Sequence, residues 1–242
     1  MAYLEIALAA LIAATLDTVV GFGGGLLLLP VLVLVAGSKD AVLLSALIPL
    51  GWNIPRLILL RSSVNWKIAG LFAIGIVPGA GLGAMLLDVI APATLQLIIG
   101  IVIILFGLYY IARLYLDLPQ PQGLRNWVFP VAGLLSGIVS GVLGAGNGPL
   151  QAGALAGTSM SVREVAATNG AVGAITAVSR AAGYLTQGLY SESIWIPAII
   201  GIAAAIAGTF LGVRLSRRSK DSTLELLVGI ALLLAGVKMV MG

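Results

Sequence analysis

Gly21-Phe22-Gly23-Gly24-Gly25-Leu26-Leu27-Leu28-Leu29-Pro30 is the stretch whose reading decides the fold. It interrupts an apolar run from Ala2 to Ala36, which is too long for one membrane crossing of roughly 20 residues and too short for two. Trp127 to Ala156 has the same character, and its break is Gly144-Ala145-Gly146-Asn147-Gly148-Pro149. Backbone N–H groups left unpaired in lipid would each cost several kcal/mol. Irregular chain at membrane depth must therefore line a cavity or a protein interface.

Lipid is the solvent that the composition demands. Of 242 residues, 60% are hydrophobic and 9% charged, whereas a soluble domain is about 25% charged. The mean hydropathy of +1.13 is spread over apolar segments at 2–20, 25–36, 41–60, 68–87, 93–116, 127–143, 148–157, 163–185, 194–213 and 223–241. Met1 to Leu16 has no Lys or Arg before its apolar run and reads as a structural helix, not a cleaved signal. No cysteine or histidine occurs, which excludes disulfides, thiol catalysis, haem ligation and the usual zinc sites, and no metal or cofactor is expected. The net charge of +4 sits mostly in short loops, where it sets orientation in the bilayer and gives no reason to expect nucleic acid.

The two broken segments belong to a duplication. At an offset of 123 residues Gly21, Gly23 and Gly25 fall on Gly144, Gly146 and Gly148. At an offset of 129, Trp66 falls on Trp195, Gly79 and Gly83 on Gly208 and Gly212, and Leu95-Gln96-Leu97 on Leu224-Glu225-Leu226. Charge then decides how the broken segments lie. If each is one crossing, six cations face five. If each is a hairpin, Arg61, Lys67, Arg113, Arg125, Arg163, Arg214, Arg217, Arg218 and Lys220 share one face, leaving Lys39 and Lys238 on the other. Nine against two is what the positive-inside rule expects, with both termini outside the cytoplasm. The expectation is an all-α polytopic membrane protein of two inverted repeats, residues 1–117 and 127–242 joined by a linker at 118–126. Each repeat holds one Gly-broken hairpin and three transmembrane helices, which gives ten helical pieces, or eight if the hairpins are single tilted, broken helices.

A helix that starts at such a break presents free N–H groups and a positive dipole end, a setting suited to an anion. Backbone amides at Gly23, Gly24, Gly25, Gly146 and Gly148 are candidate ligands, meeting near the midplane if the repeats are inverted. The alternative is that the glycines serve close packing, the reading preferred for Gly75, Gly79 and Gly83 and for Gly133, Gly137 and Gly141. A phosphate-binding P-loop is excluded by the missing Gly-Lys-Ser/Thr ending.

The pattern at 21–30, echoed by the glycine motif at 144–149 in a chain of this length, resembles the TauE/SafE family of sulfite and organosulfonate exporters. The resemblance covers essentially the whole chain. It implies a bacterial inner-membrane transporter for a small sulfur-containing anion. Asn147 stands within the second motif where the family has a triple glycine, which replaces backbone access by an amide side chain.

Arg56 and Arg180 lie inside apolar helices and correspond across the repeat to within one residue. An intramembrane Arg costs at least about 2.5 kcal/mol on insertion scales and therefore needs a partner or water. Guanidinium suits an oxyanion, although Arg56 is also placed to snorkel to the cytoplasmic end. Asp17 carries a coupling proton, pairs with Arg56 or Arg180, or sits at an exposed edge. Asn53 faces either a ligand or a neighbouring helix. Asn147 and Gln151, at i and i+4, share a helix face, and Thr168, Asn169 and Thr176 complete the polar set of the second half. Ser45, Ser136 and Ser140 have no His or suitably placed Lys beside them, so no enzyme is expected. Secondary transport by alternating access is the favoured reading, with proton coupling through Asp17. A small-anion channel is the alternative. Oligomeric state is left open.

Overall fold

The computed structural model describes residues 2–21, 23–116, 123–216 and 222–241. These form eleven α-helices and, among the described residues, no strand. The first half contains α1 (Ala2–Val20), α2 (Gly24–Ala36), α3 (Ser38–Leu47), α4 (Leu50–Leu60), α5 (Trp66–Val89) and α6 (Pro92–Tyr115). The second half contains α7 (Val128–Leu143), α8 (Asn147–Ala156), α9 (Val162–Thr186), α10 (Trp195–Ser216) and α11 (Ser222–Met241).

Ten pieces were expected and eleven are present because the 41–60 segment divides at Ile48-Pro49. Proline has no N–H to give the carbonyl four residues earlier, so the break leaves the Ser45 carbonyl without its helical partner. Other ends are set by ordinary capping. Ser161 and Glu164 form a reciprocal capping box at the start of α9, and the Asn65 side chain accepts from the Ile68 amide at 3.1 Å to start α5.

Both Gly-rich breaks reverse the chain. The N-terminal end of α1 (Ala2, Tyr3, Ile6) shares one surface pocket with the C-terminal end of α2 (Val35, Ala36), and Gln151 on α8 reaches back to Ser136 on α7. Backbone conformation repeats with the sequence: Gly21 and Gly23 have φ of +96° and +102°, and their counterparts Gly144 and Gly146 have +77° and +92°. Side chains larger than hydrogen are strained in that region, which is why glycine stands at all four positions.

Around the hairpins the long helices pair as α5 with α7, α1 with α10 and α6 with α11. The glycine rows that were read as packing devices do pack, and against each other. A methyl group placed on Gly83 would lie 2.7 Å from the Gly141 Cα, and one on Gly79 would lie 2.5 Å from the Leu134 carbonyl oxygen. Backbones approach this closely only where neither helix carries a side chain. Outward faces hold Ile74, Val77, Val89, Ile199 and Phe210, all well exposed, as lipid contact requires. Five helices are long and apolar enough to cross a membrane among the described residues, counting Ser38–Ser63 as one. α9 is not among them. Thr168, Asn169, Thr176 and Arg180 dilute its hydropathy, and all but Asn169 are buried.

One end of the bundle gathers Val64, Leu124, Met160 and Val165 in a single apolar cluster, flanked in sequence by Arg61, Lys67, Arg125 and Arg163. At the other end Lys39 donates to the Asp88 carbonyl at 3.0 Å, and Gln96 donates to the Met239 carbonyl beside Lys238. The Arg113 side chain and residues 217–220, also counted in the charge tally, lie outside the described parts.

Gly83→Leu is expected to abolish a monodisperse, folded species in detergent. The clash is backbone against backbone, so the usual 1–3 kcal/mol of overpacking is a lower bound. Gly81→Leu on the same helix, where nothing lies within 4 Å, is expected to behave as wild type in size-exclusion chromatography and thermal unfolding.

Candidate functional site

The two breaks meet at a cavity of about 50 Å³, several times the roughly 10–15 Å³ that one water needs on the same measure. Gly21, Gly23 and Gly25 line it from the first hairpin, and Gly144, Gly146, Asn147 and Gly148 from the second. Asn53 and Arg56 arrive from α4, and Asn169, Gly173 and Arg180 from α9. The α9 residues 169, 173, 176 and 180 recur at spacings of four, three and four, the signature of one helix face. Each predicted site residue lines this cavity except Gly24.

Gly24 is a correction. Its N–H donates to Asp17 Oδ1 at 3.0 Å, and a methyl group on it would lie 2.5 Å from the Ala13 carbonyl oxygen. It seats the start of α2 against α1 and is not a free amide. Asp17 therefore acts as the cap of α2, satisfying one of the N–H groups that every helix start leaves over.

The other oxygen of Asp17 answers the question of its partner. Arg56 Nη2 lies 2.7 Å from Asp17 Oδ2 and also donates to the Asp17 carbonyl at 2.8 Å. Both residues are buried, so neither the exposed-edge position for Asp17 nor snorkelling of Arg56 describes the structure. Gly170 accommodates the guanidinium stem, since a methyl there would lie 2.8 Å from Arg56 Cδ.

Arg180 is solvated differently. Its Nη1 donates to the Gly144 carbonyl and, at 3.2 Å, to that of Ser140, and Nη2 donates to the Ser45 carbonyl at 2.7 Å. Ser45 is the carbonyl freed by Pro49. Gly144 and Ser140 lie at the C-terminal end of α7, the negative end of its dipole, and the Ser140 carbonyl also accepts from the Gly144 N–H at 2.8 Å. No carboxylate neutralises Arg180 among the described residues, and its Nε is buried without a partner. Two guanidiniums and one carboxylate are the charged groups that line the cavity, a sum of +1.

The amides divide into held and free. Gln151 donates to Thr176 at 2.9 Å and to Ser136 at 3.3 Å, and accepts from Asn147 at 3.3 Å, so the i, i+4 pair acts as one unit. Asn169 donates to the Gly21 carbonyl at 3.1 Å, and its Oδ1 is buried with no partner. Asn53 packs its carboxamide against Gly173, whose added methyl would lie 2.6 Å from Asn53 Oδ1. Thr168 is structural, accepting from the Asn65 amide at 3.0 Å. Pro49, Trp52, Asn169 and Gly173 join the lining without having been singled out as site residues. For Asn169 and Gly173 the available signal was their place on the same α9 face as Arg180.

Comparison with known proteins bears on this geometry. A protein of Cupriavidus necator described as a probable sulfite/organosulfonate exporter TauE is 27% identical over 206 residues, covering 82% of this chain and 78% of that protein. No solved structure matches. The family model for the sulfite exporter TauE/SafE matches residues 6–239, so this multi-pass chain, with its polar cavity between two Gly-broken hairpins, belongs to the TauE/SafE family of membrane transporters.

Proposed function

We propose that this protein is a secondary transporter carrying a small sulfur oxyanion, sulfite or an organosulfonate, across the bacterial inner membrane by alternating access. The observation that carries the reading is Arg180, 3% exposed, bonded to carbonyls alone, and leaving a net positive charge at a cavity walled by two helix starts. A buried positive excess favours an anion, and the peptide N–H groups at Gly23, Gly25, Gly146 and Gly148 supply donors at the same place. Asn53 and Asn147 add adaptable hydrogen bonds, and Gln151, itself held by Thr176 and Ser136, positions Asn147. The name of the Cupriavidus relative supports sulfur anions as the substrate class.

Two inverted repeats, 1–117 and 127–242 joined at 118–126, fit the packing. Exchanging the halves turns the α5–α7 pair into α10–α1 and maps α6–α11 onto itself. In that arrangement the Arg61, Lys67, Arg125 and Arg163 end faces the cytoplasm and the termini face outward. Alternating access then amounts to rocking of the packed helices about the fixed cavity. Asp17 would take the coupling proton, because its protonation releases Arg56 from the ion pair.

Reconstituted into liposomes, the protein is expected to show saturable counterflow of radiolabelled sulfite. Flux that rises linearly, without counterflow, would instead identify a small-anion channel, and absence of any sulfur-anion flux would refute the substrate reading. Asn53→Leu should raise the half-saturating concentration about tenfold, the equivalent of one hydrogen bond to an ion, with thermal unfolding unchanged. Arg180→Lys keeps the charge but not the fork that reaches three carbonyls. Its flux should fall by about 30-fold or more, and its unfolding temperature should drop as well.

A further inference from the structure

We infer that Asp17 sets the charge class of the transported ion, making the cavity a site for monoanions. The inference rests on the reading that this cavity holds the anion, and it begins from a difference between the two halves. At the offset that superposes the Gly breaks, Asp17 falls on Ser140. The arginines treat these two residues alike at the main chain: Arg56 donates to the Asp17 carbonyl at 2.8 Å and Arg180 to the Ser140 carbonyl at 3.2 Å. Only the side chains differ. The Asp17 carboxylate cancels Arg56, whereas Ser140 turns its hydroxyl to the Gly137 carbonyl at 3.3 Å and leaves Arg180 uncancelled.

While ionised, Asp17 acts as a counter-charge held in place and not as a ligand. One oxygen is held by the Gly24 N–H and the other by Arg56, so the carboxylate is kept in place, and as an acceptor-only group it offers an anion no donor. While it is ionised the cavity sums to +1, and one bound monoanion brings that sum to zero. A dianion would leave a whole negative charge uncompensated among buried groups, where an unpaired charge is costly. A serine at position 17 as well would have made the cavity +2 and suited to dianions. Charge class is thus decided by one residue that need not touch the ion.

The test uses probes whose charge does not change near neutral pH. Methanesulfonate is a tetrahedral sulfur monoanion and sulfate a tetrahedral dianion of similar size. Each competes against sulfite counterflow at constant pH and ionic strength, and each is also assayed for its shift of thermal unfolding, which needs no flux. Wild type is expected to prefer methanesulfonate by at least about tenfold. Asp17→Asn keeps an amide oxygen for the Gly24 N–H but raises the sum to +2, and should shift the preference toward sulfate by at least about tenfold. The Asp17→Asn, Ser140→Asp double variant returns the sum to +1 with the carboxylate in the other half, and should restore the preference for methanesulfonate. Ser140→Asp alone, with a sum of zero, should lose both anions. A wild type that prefers sulfate or binds neither probe overturns the inference. So does a preference unmoved in Asp17→Asn or, should that variant fail to fold, anion binding unaltered in Ser140→Asp. If sulfite is not transported while the thermal shifts show the charge preference, the sulfite reading fails and the charge-class inference stands.

Discussion

Everything in this structure depends on how non-helical backbone is satisfied at membrane depth. Two chain reversals built on left-handed glycines leave carbonyls and amides that lipid cannot serve. The groups that serve them come from elsewhere in the bundle. Asn169 of α9 donates to the Gly21 carbonyl in the first break, Arg180 of α9 to the Gly144 carbonyl in the second, and Asp17 of α1 accepts from the start of α2. A single side chain, Arg180, also ties the second break to Ser45 on α3. The breaks therefore hold the two halves together, and the cavity is what remains between their satisfied groups.

Proline and arginine are complementary in this arrangement. Pro49 frees the Ser45 carbonyl, and the end of α7 presents that of Gly144 beside the Ser140 carbonyl, which Arg180 shares with the Gly144 N–H. Three partial negative charges converge on one guanidinium that has no carboxylate partner among the described residues. Carbonyl dipoles can solvate a cation without cancelling its charge, unlike a carboxylate. Arg56 and Arg180 occupy corresponding places, yet the first is neutralised and the second is only solvated. A pair of identical half-sites would have been either neutral or doubly charged, so the +1 character of the cavity rests on the two halves differing at Asp17 and Ser140.

Much of this was legible in the sequence, and for identifiable reasons. The membrane setting, the reversals at Gly21–Gly25 and Gly144–Gly148, the packing role of Gly75, Gly79 and Gly83, and the shared face of Asn147 and Gln151 all follow from local pattern and helical period. Partner choice does not. Asp17 had two arginines to choose from, and only the packing of α4 against α9 places Arg56 beside it while Arg180 lies against α3 and α7. Gly24 looked like its neighbours, because a run of three glycines carries no mark of which one is pressed against α1. Pro49 was overlooked because it ends one helix and begins the next almost in line, with both Ile48 and Pro49 still in the right-handed helical region, so the apolar run continued across it.

A transporter must release what it binds, and the walls of this cavity suit that. The strongest oxyanion grip an arginine has is the bidentate fork of its terminal nitrogens. Here Nη1 and Nη2 of Arg180 are held by three carbonyls and Nη2 of Arg56 by Asp17, so neither arginine has both terminal nitrogens free. What faces a guest is the field of an excess charge, helix-start amides and carboxamides, each individually weak. Attraction of that kind is enough to draw an anion from water into a small polar space, and it depends little on orientation. In the proposed alternating-access cycle it would be withdrawn when the helices shift and open the space to water on one side, because high dielectric weakens every one of those terms at once. The same geometry that hides the guanidinium forks within the protein thus keeps binding from becoming a trap.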